Sequence, residues 1–92
     1  MSSEVKKLIN ENLRNEEFAD AYAQEKAKIQ LANAIVEARK KKQLRQIDLT
    51  DLTGIKQSEI SKIENALVYP NLSTLLKILA VLDLELKAVP TE

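Results

Sequence analysis

An all-helical fold is what this sequence predicts, and three observations predict it. Glycine occurs once (Gly54) and proline twice (Pro70, Pro90), so few tight turns are available for hairpins. Only Phe18, Tyr22 and Tyr69 are aromatic, so the 45% of apolar residues must supply an aliphatic core of Leu, Ile and Ala. Those residues recur at spacings of three and four along most of the chain, the period of a helix rather than a strand. Ninety-two residues are enough for one small domain, with little room for a second core.

The elements follow in order. Ser3 is a good N-cap, and Val5, Leu8, Ile9 and Leu13 make a short amphipathic helix over 3–13. At that length its apolar stripe needs something to pack on. Asn15 caps the next helix, with Glu16 and Glu17 in the first turn, where the macrodipole favours acids. No breaker appears before Gln43, which predicts one long helix over 16–42. It carries two apolar faces: Ala27, Leu31, Ala34, Ile35 and Ala38 on one, Phe18, Tyr22, Ile29 and Val36 on nearly the opposite one. A helix over 46–53 presents Ile47, Leu49 and Leu52 and ends at Gly54, the residue freest to turn left-handed. Then come a helix over 57–65 with Ile60 and Ile63 inward, a break at Pro70, and a helix over 72–82 capped by Asn71. In the last, Leu72, Leu75, Leu76, Leu79 and Leu82 form the expected core stripe. Residues 84–89 alternate apolar and polar, the pattern of a short C-terminal strand, which needs a pairing partner.

Composition narrows the function. With no cysteine and no histidine, thiol, imidazole and the usual zinc chemistry are absent, and no acidic pair sits in a catalytic context. The expectation is no enzyme, no metal and no cofactor. The start of the chain has no signal-peptide pattern and no apolar run approaches a membrane span, so a soluble cytoplasmic protein is expected. The net charge of zero hides an asymmetry: residues 1–25 hold six acids against three bases, the remainder eleven bases against eight acids. One end would suit a nucleic acid and the other a basic partner, although for a charge imbalance alone solvated helix faces are the preferred reading.

The stretch from Arg45 to Asn65 is the most informative. Two short helices joined through one glycine, with Leu49 and Leu52 facing Ile60 and Ile63 and Ile55 plugging the turn, define a helix-turn-helix. The second helix would then present Gln57, Ser58, Glu59, Ser61 and Lys62. Glutamine pairs bidentately with adenine, and serine or lysine reaches guanine or phosphate, so these residue types suit a major-groove reader. Polar residues on a helix surface also arise by chance; the fold context carries the argument.

That context resembles the XRE family of bacterial regulators, similar in its domain to phage repressors. The resemblance rests on residues 44–55 (LRQIDLTDLTGI), 58–65 (SEISKIEN) and 70–75 (PNLSTL), and covers about 27–83. It implies a five-helix repressor-like domain that binds palindromic operator DNA as a homodimer. It also implies that Gln46 approaches phosphate and base, that Gln57, Ser58 and Lys62 enter the major groove, and that Arg39 and Glu64 form a structural salt bridge. Three positions depart from the family pattern. Arg45 and Lys56 stand where Ser or Thr usually caps a helix, and Ala66 replaces a usual glycine. A base opposes the dipole at a helix start, at a cost of about 0.3–1 kcal/mol each. Arg45 and Lys56 therefore read either as phosphate clamps at the DNA or as tolerated changes at exposed sites, two readings of equal weight.

The whole organisation resembles a HigA-type antitoxin of a toxin–antitoxin pair. The divisions are an N-terminal helical extension (1–26), the helix-turn-helix domain (27–83) and a C-terminal tail (84–92). The resemblance implies two roles: neutralising a basic, mRNA-cleaving RelE-like toxin, and repressing its own operon. Val5, Leu8, Ile9, Phe18, Tyr22 and Ile29 are the expected toxin-binding residues. The alternative is a stand-alone XRE-type transcriptional regulator whose N-terminal helices only complete the fold; a protein-interaction module is a third reading.

Overall fold

The computed structural model describes residues 16–90, which form four α-helices: α1 (Glu16–Lys41), α2 (Gln46–Thr53), α3 (Gln57–Glu64) and α4 (Leu72–Val81). The expected helix over 3–13 lies outside the described residues. Helix α1 has 26 residues, about 39 Å at 1.5 Å each, and sets the long axis of a body 46 × 21 × 20 Å. Its first fully buried residue is Ala32. The buried stripe differs from the expected one: Ala32 and Ile35 are buried, Leu31 and Ala38 half-buried, Ala27 and Ala34 exposed. The stripe is centred on Ile35, and at about 100° per residue Ala34 and Ala27 fall off its edge while Ala32 and Arg39 stay on it.

With a single glycine in the chain, the helix ends need another solution. Gly54 closes α2 in the left-handed region (φ 76°), its N–H donating to Thr50 O at 2.8 Å. The other three helices turn through Gln43 (φ 59°), Ala66 (φ 57°) and Asp83 (φ 56°). Each ends with the same pair of reversed bonds: Leu44 N to Arg39 O and Gln43 N to Lys40 O, Leu67 N to Lys62 O and Ala66 N to Ile63 O, Leu84 N to Leu79 O and Asp83 N to Ala80 O. This is the Schellman pattern, which satisfies carbonyls that a helix end would otherwise leave free. The leucine that follows each turn is placed to cover the core. Leu44 and Leu84 do so; Leu67 stays 68% exposed. Asn71 Oδ1 caps α4 by accepting from Thr74 N at 2.8 Å.

All four helices feed one core. Ile35 of α1, Leu49 of α2, Ile60 and Ile63 of α3 and Ile78 of α4 are almost wholly buried, with Ile55 in the turn and Leu75, Leu79 and Leu82 around them. Three expected core residues are exposed instead: Leu52 (59%), Leu72 (61%) and Leu76 (47%). On α2 the covered arc runs through Leu49, Thr53, Gln46 and Thr50, so Leu52 falls on the opposite flank. On α4 the stripe is centred on Ile78, and Leu72 and Leu76 lie about 120° and 160° away from it.

The described residues contain no strand, and they contain four helices rather than five. Beyond Leu84, residues 85–90 are exposed coil. They run back along α1, where Val89 shares a shallow groove with Tyr22, Ala23, Lys26, Ala27 and Gln30. A single segment has no ladder to join among the described residues, which is why the alternating pattern does not become a strand here.

Candidate nucleic-acid interface

The geometry of the motif begins in its turn. Thr53 Oγ1 donates to Leu49 O at 2.6 Å and accepts from Ile55 N at 3.2 Å, so one hydroxyl joins the last turn of α2 to the residue that plugs the core. Gly54 supplies the left-handed step between them. Lys56 then starts α3 with no side-chain cap, its carbonyl accepting from Glu59 N and Ile60 N. Ile60 and Ile63 are pinned in the core, and this fixes which side of α3 faces outward.

The outward set is narrower than the sequence suggests. Lys56, Gln57, Ser58 and Lys62 are exposed, whereas Glu59 and Ser61 are half-buried. Asn65, at the C-cap, donates to Ser61 O at 2.7 Å and lies 3.4 Å from Ser61 Oγ, so Ser61 faces the helix end. Gln57, Ser58 and Lys62 thus share one solvent face, presenting amide, hydroxyl and ammonium groups within two turns. Lys56 and Lys62 make no ion pair among the described residues.

The start of α2 is organised by two carboxylates. Glu64 accepts from Arg39 Nε (2.7 Å) and Nη2 (2.9 Å), and also from Gln46 Nε2 (3.1 Å). Arg39 Nη1 donates in turn to Leu44 O at 2.8 Å. One buried carboxylate therefore ties together the end of α1, the α1–α2 turn, the first residue of α2 and the last of α3. Its hydrogen bond raises the affinity of the Arg39 guanidinium for its proton against the opposing effect of burial. Gln46 is half-buried, one amide N–H already committed.

The second carboxylate is Asp48, which the sequence reading missed. Arg45 occupies the N-cap, and its backbone N–H donates to Asp48 Oδ2 at 2.7 Å. Its Nε and Nη2 donate to Asp48 Oδ2 and Oδ1 at 3.2 and 3.1 Å. An arginine has no acceptor to return the bond, so half of a capping box forms. The side-chain hydrogen bond raises the Arg45 guanidinium and holds the Asp48 carboxyl below its ordinary range. The signal was available: an acid three residues after the N-cap is the capping-box spacing.

The other basic side chains divide. Lys40 and Lys41 are exposed, while Lys42 pairs with Asp83 and ties the end of α1 to the end of α4. Of the expected toxin-binding residues, Val5, Leu8 and Ile9 lie outside the described residues, as does the side chain of Phe18. Tyr22 is half-buried and Ile29 is 49% exposed on α1. Those two sit on the extended helix, apart from the motif. Lys28, which precedes Ile29 on α1, lies 4.5 Å from the ring centre of Tyr69 and links the α3–α4 loop to α1. No group of acids that could hold a metal occurs among the described residues, and none of their helices is long and apolar enough to cross a membrane.

A family model described as Helix-turn-helix matches residues 35–89, more than half of the chain. No curated protein and no solved structure matches it.

Proposed function

The chain belongs to the helix-turn-helix family, DNA-binding proteins of the XRE type, and from that premise we propose that it is a transcriptional repressor that reads an operator through α3. The observation that carries the reading is the shared exposed face of Gln57, Ser58 and Lys62 on a helix whose other side is locked by Ile60 and Ile63. In this reading Gln57 and Ser58 contact base edges, Lys62 contacts base or phosphate, and Arg45, Gln46 and Lys56 meet the backbone at the two helix starts.

A second copy is part of the proposal, since a palindromic site needs two reading helices about one helical turn apart. In its support, Leu72 and Leu76 stand one turn apart on α4, 61% and 47% exposed. The ridge they share with Ala80 carries no charge, which suits contact with its own image across a two-fold axis. The test is selection from a random duplex pool. Enrichment of palindromic sites supports the reading; binding with no enriched sequence overturns it.

The antitoxin role is the finer part of the proposal. It assigns residues 1–26 to a basic RNA-cleaving toxin and keeps 27–83 for DNA, in the cytoplasm where both targets are. Its support is the acidic balance of residues 1–25, which would steer a basic partner, and the exposure of Ile29 on the outer face of α1.

A further inference from the structure

At the proposed DNA-facing surface, the three basic side chains of the motif differ in one respect. Lys56 and Lys62 carry their charge free of any described ion pair, whereas Arg45 carries a carboxylate with it. Asp48 is held from two directions, by the backbone N–H of Arg45 and by the Nε/Nη2 edge of its guanidinium. The Asp48 side chain is 26% exposed and that of Arg45 78%, so the pair sits at the surface with the arginine outermost. The Arg45–Asp48 pair as a unit carries no net charge. The hydrogen bonds that lower the Asp48 carboxyl keep that counter-charge in place at every pH near neutrality.

We infer that Asp48 is an internal counterion to Arg45 that restrains the chain's sequence-independent attraction to duplex DNA. The inference rests on the reading above that the start of α2 faces the phosphate backbone. Sequence-independent affinity comes almost wholly from bases that displace condensed cations from phosphate. An arginine already neutralised displaces few, so its pairing lowers random binding while leaving base contacts on α3 untouched. A phosphate contact is made on operator and random duplex alike, so the pairing lowers both affinities and leaves the ratio between them to the base contacts on α3. The arrangement also explains how an arginine is accommodated at a helix start that disfavours a cation: Asp48 supplies the negative charge the dipole favours.

Asp48→Gln tests the inference, because glutamine keeps an acceptor at the capping-box position without the charge. Binding to a random-sequence duplex is measured across a salt series beside the unaltered chain, with melting of each protein as the folding control; Asp48→Asn serves where Asp48→Gln does not fold. The expected result is tighter binding and a log–log salt slope steeper by about 0.9. The advantage over the unaltered chain should therefore grow about threefold for a fourfold drop in salt. Adding Arg45→Ala to Asp48→Gln should erase that gain. Unchanged affinity and slope in a folded Asp48→Gln protein would overturn the inference, as would weaker binding, which would make Asp48 a support that positions Arg45. If neither protein binds any duplex, the DNA-reading function falls first and this inference with it.

Discussion

Glu64 grips Arg39 with both carboxylate oxygens, at 2.7 and 2.9 Å, across twenty-five residues of sequence. The side chains are 4% and 13% exposed, so neither charge is well hydrated when its partner is gone. Arg39 also supports Leu44 O, inside the turn that starts α2.

Arg39→Ala should therefore cost about 3 kcal/mol, the lower edge for breaking a buried pair, and lower the melting temperature by roughly 15 °C. Arg39→Lys should recover only part of this, because an ammonium cannot span two carboxylate oxygens and a carbonyl at once. Thermal unfolding of both variants checks it. A loss under 1 kcal/mol in Arg39→Ala would mean that water reaches the pair.

Much of this architecture was legible in the sequence, and the part that was not has a physical cause. Helix positions followed from periodicity and caps, and Ile55, Ile60 and Ile63 from their spacing around Gly54. Leu52, Leu72 and Leu76 were misjudged because identity alone makes every leucine look buried. A two-turn helix held between neighbours covers an arc whose centre depends on those neighbours, not on its own pattern. Asp48 was missed because Arg45 was weighed by itself against the helix dipole, with its cost counted and its partner left out. Gln46 was read as a DNA contact without its bond to Glu64, a relationship eighteen residues apart that only the fold brings together.

Ala66→Gly should stabilise the chain. Ala66 holds φ 57°, a conformation that strains an L-residue by about 1–2 kcal/mol. Glycine removes the strain and returns part of the gain as added freedom in the unfolded chain, leaving about 0.5–1 kcal/mol. Asp83 is the weaker target, since aspartate tolerates this region and here also pairs with Lys42. Denaturant midpoints of the two glycine variants should rank in that order.

Thr50→Val should leave stability unchanged or raise it by up to about 1 kcal/mol. The Thr50 hydroxyl oxygen is buried without a hydrogen-bond partner among the described residues, and valine has the same shape without the polar atom to desolvate. A loss beyond 1 kcal/mol in urea unfolding would show that the hydroxyl is bonded in solution.

Ile29→Glu should separate the two proposed surfaces. Ile29 is half-exposed on α1 and away from the reading helix, so melting and duplex binding should change little, within about 0.5 kcal/mol. If residues on this face bind a toxin, the same substitution should abolish protection of cells co-expressing the proposed basic toxin. Retained protection would remove this face of α1 from the toxin-binding proposal.

Gln57→Ala and Lys62→Ala should fail in different ways, and the difference tests what α3 does. Both side chains are exposed on a helix held by Ile60 and Ile63, so neither change should disturb folding. A glutamine bidentate to adenine contributes about 1–3 kcal/mol of discrimination at one base pair. Losing it should weaken operator binding by that amount, relax the preference at that position and leave random-duplex binding intact. A lysine on phosphate carries no sequence information. Its loss should weaken all duplexes alike and reduce the salt slope by about 1. Titrating each variant against the selected operator, its single-base variants and a random duplex at several salt concentrations separates the two. Equal losses on operator and random duplex for Gln57→Ala would make that residue a backbone contact and shift base reading to Ser58.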